Sequence, residues 1–382
     1  MPLVTQDGAQ QLLSTIAGAI ITATSIAFSM TIVALTLASS QFGPRLIRTF
    51  MVDRGTQMVL GILVSTFLFC ILALHQLSAI TENSGALSIL SAASVVMAII
   101  DVATIIYFIH HVSRSIQADE VIYRCFTDFK SDLDTLLPKP ETQRDLRQIP
   151  DKLPKKTEFT YEIRSDTTGY VQNIDYQTLV ETGVDRVDGI EVMVRSGDHV
   201  LPGALLMVIY GRCDLSPSLA KLLRQYVVIG RNRTPIQDPE FAIGQIVEVA
   251  LRALSPGIND PFTAISCLDR LTSTCIIMSE RQFPAPTVVN TTTDVWMHRR
   301  TFSYEGVINM AYNQIRQADS EHMSVVLHVL HCLKQLKQRI QQEYHYLLDE
   351  QADATDALAR HHFVSNEDAA TLKEAYTAFK KA

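Results

Sequence analysis

One carboxylate stands inside an otherwise apolar stretch of this chain: Asp101, within the run from Leu87 to Ile109. A carboxylate held in hydrocarbon is costly unless it is paired, protonated or wetted, so by default it signals function. The alternative is a neutral Asp locked to a neighbouring hydroxyl for packing. A second pattern lies in the run from Thr15 to Ala38. At about 100° per residue, Thr15, Gly18, Thr22, Ser25, Ser29, Thr36 and Ser40 fall within a wedge of about 80°, interrupted by Val33. Such a stripe is either the wall of a water-filled or ion-conducting path or a packing seam, because small residues let helices approach and hydroxyls bond across them. Matching depths puts Asp101 level with Ser29 to Thr31. It is therefore expected to bond to the stripe or to face a central aqueous path in an oligomer.

Farther along, Asp238-Pro239-Glu240 and Asp260-Pro261-Phe262 share one device. Asp accepts the first free N–H groups as N-cap, and Pro at the first helical position gives up no needed donor. Between them, Ser255-Pro256-Gly257-Ile258-Asn259 reads as a tight connection, with Gly257 suited to positive φ. Helix N-termini attract anions, so Arg233, Gln237, Asp238, Arg252, Asn259 and Asp260, with Arg231 nearby, form a candidate site for a small anionic ligand such as a phosphate or nucleotide. The competing reading pairs the arginines with Asp238, Glu240, Glu248 or Asp260. The chain has no Gly-rich phosphate loop, GxSxG or HExxH; no enzyme activity is expected and no cofactor is implied. His328 and His331 share a helix face and read as exposed surface, without a carboxylate or cysteine at supporting spacing, so no metal site is expected. The six cysteines (Cys70, Cys125, Cys213, Cys267, Cys275 and Cys332) lack CxxC pairing and read as free thiols in a reducing compartment.

The elements that must position these residues begin with three apolar stretches, Thr15 to Ala38, Met58 to Ile80 and Leu87 to Ile109, each long enough to cross a bilayer as a helix. Of Asp, Glu, Lys, Arg and His they contain only His75, near the end of its stretch, and Asp101. The first lacks the basic lead of a signal peptide. The connection Gln41 to Gln57 carries Arg45, Arg48 and Arg54 against Asp53, whereas the next has Glu82 and no basic residue. The positive-inside rule then places the first connection in the cytoplasm, the amino terminus outside, and everything after His110, His111 and Arg114 inside. That describes a multi-pass membrane protein with a large C-terminal part in the cytoplasm. Three helices with a polar stripe to hide make a thin bundle, so the protomer is expected to form a homo-oligomer within the lipid bilayer. The net charge of -7 comes with no basic tract, which argues against nucleic acid as a partner.

The fold expected is an α-helical membrane protein with three transmembrane helices and a cytoplasmic α+β domain. Residues 1–112 form the membrane part (helices about 15–38, 58–80 and 87–109), and 113–156 a helical extension over Val112 to Leu137 followed by a linker marked by Pro138, Pro140, Pro150 and Pro154. Residues 157–212 form a small β-rich module, with Asp175 to Val184 a short helix between its strands, and 213–382 a helical domain. The strands at Gly169 to Ile174, Ile190 to Arg195 and Leu205 to Tyr210 look like the β-sandwich of biotinyl or lipoyl carriers, although the hairpin tip offers no lysine to modify.

The segments FSMTIVALTLASSQFGPRLIRTFMVDRGTQMVLG, FIHHVSRSIQADEVI, GYVQNID and RTPIQDPEFAIGQIVEVALRALSPGINDPFTAISCLDRL together resemble the bacterial predicted membrane proteins called domain of unknown function 2254. The motif positions are Ser39, Gln41, Pro44, Arg45, His110, His111, Arg233, Gln237, Asp238, Arg252, Ser255, Pro256, Asn259, Asp260 and Pro261. The resemblance covers almost the whole chain and implies a membrane protein, with no activity attached. Members usually carry a further span and an extracytoplasmic segment ahead of the stretch that begins here, implying four spans in the complete protein. The functional expectation is an oligomeric ion channel or transporter-like conduit regulated by its cytoplasmic domain. The alternative is a membrane-anchored sensor or scaffold that binds an anionic ligand or protein partner.

Overall fold

Three helices long and apolar enough to cross a membrane open the chain: α1 (Gln6–Phe42), α2 (Arg54–Leu77) and α3 (Gly85–Ser115). The computed structural model describes residues 5–43, 53–77, 85–137, 146–148, 159–182, 187–211, 216–318 and 321–382. Pro44, Arg45, Arg48, Glu82, Cys213 and the proline-marked linker at 138–145 and 149–158 lie outside the described residues. Each helix contains its expected span, shortened only where Met58 to Ile80 runs into undescribed residues. α1 begins at Thr5, whose hydroxyl accepts the Gly8 N–H as an N-cap.

The inward faces of these helices explain how they pack. α1 buries Ala9, Leu13, Ala17, Ile20, Thr24 and Ala27, α2 buries Leu63, Thr66, Cys70 and Ala73, and α3 buries Ser91, Ser94 and Asp101. Small and hydroxyl side chains thus share the inside with a few large apolar ones such as Leu13 and Leu63, while Ile32, Leu72, Ile89 and Ile106 point outward. In hydrocarbon there is no hydrophobic drive to hide Ile or Leu, and close backbone approach through small residues supplies the attraction instead. The expected continuous helix from Val112 to Leu137 is interrupted at residues 116–117, and α4 (Ala118–Leu136) restarts beyond the break.

The chain divides into two compact units, Met1–Val121 and Ile122–Ala382. In the second, two sheets share one apolar core that includes Val171, Ile174, Ile190, Met207, Ile209, Val227 and Met297. The strands are β1 (Leu146–Gln148), β2 (Phe159–Arg164), β3 (Gly169–Ile174), β4 (Val187–Val192), β5 (His199–Val200), β6 (Leu205–Gly211), β7 (Val227–Gly230), β8 (Thr287–Asn290) and β9 (Trp296–Arg299). One sheet runs β1-β8-β9-β4-β6-β2 and the other β5-β3-β7. The helices of this unit, after α4, are α5 (Tyr176–Glu181), α6 (Pro217–Gln225), α7 (Pro239–Ala253), α8 (Pro261–Ser279), α9 (Tyr304–Ala318), α10 (Met323–Lys337), α11 (His345–His362) and α12 (Asn366–Lys380).

The wholly helical reading of 213–382 is therefore corrected, because β7, β8 and β9 fall inside it. Strands of four residues are too short to show an alternating pattern. β9 forms a local antiparallel pair with β8 and joins the rest of the sheet through a distant partner, running parallel to β4 with Gly189 opposite Trp296. A Cβ at position 189 would overlap the indole of Trp296, so glycine there is a requirement of close packing. Trp296 is the one tryptophan of the chain and is buried, which makes it a reporter of this junction. Gly189→Ala is expected to cost about 1–3 kcal/mol through overpacking. It should lower the denaturant midpoint followed by tryptophan emission, and an unchanged midpoint would refute this account of the β4–β9 seam.

Candidate functional site

In the membrane unit the polar groups divide between two faces. Asp101 of α3 is fully buried, and its Oδ1 accepts a hydrogen bond from Thr66 Oγ1 of α2 at 3.1 Å. Its Oδ2 has no partner among the described residues. The serine and threonine stripe of α1 does not supply that bond. Thr22, Ser25, Ser29 and Thr36 are exposed on the outer surface of the three-helix unit. Thr22, Ser29 and Thr36 close their hydroxyls on the carbonyls of Gly18, Ser25 and Ile32, one turn back. Depth matching set the level of Asp101 but not its azimuth, and the azimuth decides its partner. Thr66 also lines a groove of about 430 Å³ on the outside of α2 and α3, together with Met58, Gly61, Ile62, Ser65, Met97 and Ile100.

A second polar contact ties the start of α2 to the end of α3. Asp53 accepts from the Thr56 N–H at 2.8 Å and its Oγ1 at 2.9 Å, and lies 2.6 Å from His111 Nε2. The approach requires a glycine, since a Cβ on Gly55 would come within 2.6 Å of the same ring nitrogen. Burial works to raise the Asp53 carboxyl, but the bonds from Thr56 and His111 outweigh it and hold the group below its ordinary value. Sequence reasoning singled out His111 but missed Asp53, although an Asp three residues ahead of Thr56 at the edge of an apolar run is a capping signal.

In the second unit, Arg233 and Asp238 form a two-pronged ion pair, Nε to Oδ2 at 2.5 Å and Nη2 to Oδ1 at 3.0 Å. Asp238 is fully buried and also caps α7 by accepting the Phe241 N–H at 3.0 Å. Gly197, at φ +93°, lets the turn between β4 and β5 lie directly on this pair, where a Cβ would collide with both partners. Burial works against the charge of Arg233, yet Asp238, Glu240 and Asp198 raise its pKa above the ordinary value. Gln237 accepts the Ile174 N–H at 2.9 Å and donates to the Ile174 carbonyl at 3.0 Å, pairing with β3 as a neighbouring strand would. Alongside, Arg195 holds Glu240 through two bonds of 3.1 and 2.9 Å, and Arg300 holds Asp198 at 2.6 Å.

The six candidate ligand residues do not form one cluster. Asp238 caps the first turn of α7 and Arg252 sits in its last, so the helix separates them by about 20 Å at 1.5 Å per residue. Nearness in sequence misled here because a rigid helix intervenes. At the far end, Asp260 caps α8, accepting the Thr263 N–H at 3.1 Å and its Oγ1 at 2.6 Å. In the connection between the helices it is Asn259, at φ 52°, and not Gly257, that adopts the left-handed conformation, a region Asn visits more readily than most residues with a Cβ.

The histidine-rich end needs one correction as well. His328 has both kinds of neighbour that were thought missing: Asp269, brought from α8, with its Oδ1 2.7 Å from Nε2, and Cys332, one turn along α10. Burial foremost pushes the Cys332 thiol up to about 12, with Thr272 opposing and the Asp269 charge adding to the rise.

Three apolar helices of spanning length followed by a mixed α/β unit define a membrane protein. The chain belongs to the family described as "predicted membrane protein (DUF2254)", whose model matches residues 1–335. It is similar to uncharacterized proteins of Mycobacterium bovis and Mycobacterium tuberculosis, each 30% identical over 285 residues, covering 73% of this chain and 54% of the relative. The chain thus spans about half the length of the curated relatives it matches. No solved structure matches.

Two outcomes follow from this geometry. Arg233→Ala leaves a buried carboxylate without its counter-charge and should destabilise the second unit by about 2–4 kcal/mol, somewhat below a fully buried pair because Arg233 is partly exposed. A denaturation midpoint equal to the wild type would contradict it. A depressed carboxyl stabilises the fold above its unfolded-state value and loses that contribution as pH falls through its folded-state value. The protein in detergent should therefore lose melting temperature below about pH 4, and Asp53→Asn should show a smaller acid loss. Parallel pH profiles for the two would remove Asp53 as the origin.

Proposed function

We propose that this protein is a homo-oligomeric membrane conduit for a small ion, with its second unit on the cytoplasmic side acting as regulator. The observation that carries the reading is Asp101, a fully buried carboxyl within candidate spanning helices that has one hydrogen-bond partner for its two oxygens among the described residues. A carboxyl kept at such cost for packing alone would be expected to satisfy both oxygens. Its partner Thr66 also lines the outer groove of α2 and α3, so the carboxyl stands one hydroxyl away from that groove. The outward stripe of Thr22, Ser25, Ser29 and Thr36 supports assembly, since a polar face is better placed against another copy or water than against lipid.

The sensor reading draws less support. Arg233 is already neutralised by Asp238, and Arg252, Asn259 and Asp260 lie at the other end of α7. The deciding experiment is flux from proteoliposomes of purified protein over a range of voltage and pH. Asp101→Asn is expected to lower flux by about tenfold or more, equivalent to ~1.4 kcal/mol on the barrier, and Ser29→Leu to lower it as well. Absence of flux from the wild type, or flux indifferent to Asp101→Asn, would end the conduit proposal.

A further inference from the structure

Helices α8 and α10 pack in the second unit, and at one point the facing side chains are all metal-ligating types. Asp269 is on α8; His328 and Cys332 are on α10, four residues apart and so on one face. An Asp269 carboxylate oxygen, a ring nitrogen of His328 and Cys332 Sγ all lie within 4.8 Å of one another. Donors bound tetrahedrally to one ion at 2.0–2.3 Å stand about 3.3–3.7 Å apart. To hold one ion, the His328–Asp269 distance of 2.7 Å would open slightly and the remaining donors, now within 4.8 Å, would settle at that spacing. The cluster has a floor and a mouth: Cys332 is buried, His328 is 23% exposed at its side chain and Asp269 59%.

We propose that Asp269, His328 and Cys332 form a site for a zinc-type divalent cation that cross-links α8 to α10. One thiol, one imidazole and one carboxylate suit a borderline-soft ion of tetrahedral preference and do not suit Mg²⁺ or Ca²⁺, which take oxygen donors. Three protein donors leave the fourth position to water. The ring of His331 lies 5.8 Å from that of His328, but its Nε2 is engaged by Gln335 at 2.7 Å, so it is not assigned as a ligand. The inference stands apart from the conduit reading, because neither Asp101 nor the α1 stripe contributes to it.

The test uses the whole chain, purified in detergent without a histidine tag and treated with a chelator. Zn²⁺ titration should show one equivalent bound, and Co²⁺ should give a thiolate charge-transfer band with the intensity of tetrahedral coordination. Cys332→Ser should abolish the band, and His328→Ala and Asp269→Asn should each weaken Zn²⁺ binding by about tenfold or more. His331→Ala should leave both readouts unchanged. Tryptophan emission from Trp296, in the same unit, shows which variants remain folded. The proposal is overturned if the folded wild type retains no Zn²⁺ at micromolar concentration. It is equally overturned if binding survives undiminished in the folded Cys332→Ser and His328→Ala variants.

Discussion

A buried carboxylate must find enough donors to replace the water it has lost, and in the second unit Asp238 meets that demand in a way that fixes everything around it. One of its oxygens caps α7 while both hold Arg233, and the turn containing Gly197 closes over the pair. The helix start, the segment after β7 and the turn between β4 and β5 are thereby set against one another by a single side chain. Gln237, one residue earlier, adds β3 by gripping both backbone groups of Ile174. The apolar core supplies the bulk of the attraction between sheets and helices, but it is not directional. The polar junction selects one arrangement from those the core would tolerate.

The membrane unit solves a different problem. Its helices gain little by hiding large apolar side chains, so Ala17, Thr66 and Ser94 share the inside with Leu13 and Leu63, while Ile32, Leu72 and Ile106 face out. Hydroxyls on such helices can bond to carbonyls of their own preceding turn, as Thr22, Ser29 and Thr36 do, and so need no partner within the three-helix unit. A carboxyl has no such retreat. Asp101 looks across to α2, and the Asp53–His111 bond ties α2 and α3 at one end, so these two helices share specific polar ties as well as packing.

How much of this was legible in the residues depended on range. Features written in a single stretch read well: the three spans from length and apolarity, the strands around Tyr170 and Ile209, and the Asp-Pro helix starts at 238 and 260. Features decided between stretches did not. The strand at Trp296 is four residues long, and its docking on β4 depends on the bare backbone of Gly189. The partner of Asp101 depended on the rotation of α3, which hydrophobic periodicity cannot set when the helix is apolar on every side. The arginines and aspartates of 233–260 looked like one site because the reading followed sequence, whereas α7 is a rod that holds its ends apart. At Asn259 the reading placed positive φ on the glycine of the turn, two positions too early.

The parallel pairing of β4 with β9 bears on how the chain comes to be folded at all. Gly189 meets Trp296 roughly a hundred residues later, so during synthesis the inner edge of β4 stays bare until α7 and α8 have been made. Within this sheet β1 waits longer still, since its register is set by β8. An open strand edge invites pairing with the wrong chain. The short, turn-rich strands near Trp296 thus act as a closing piece delivered late. The interval before their arrival is when the nascent protein is most exposed to misassembly.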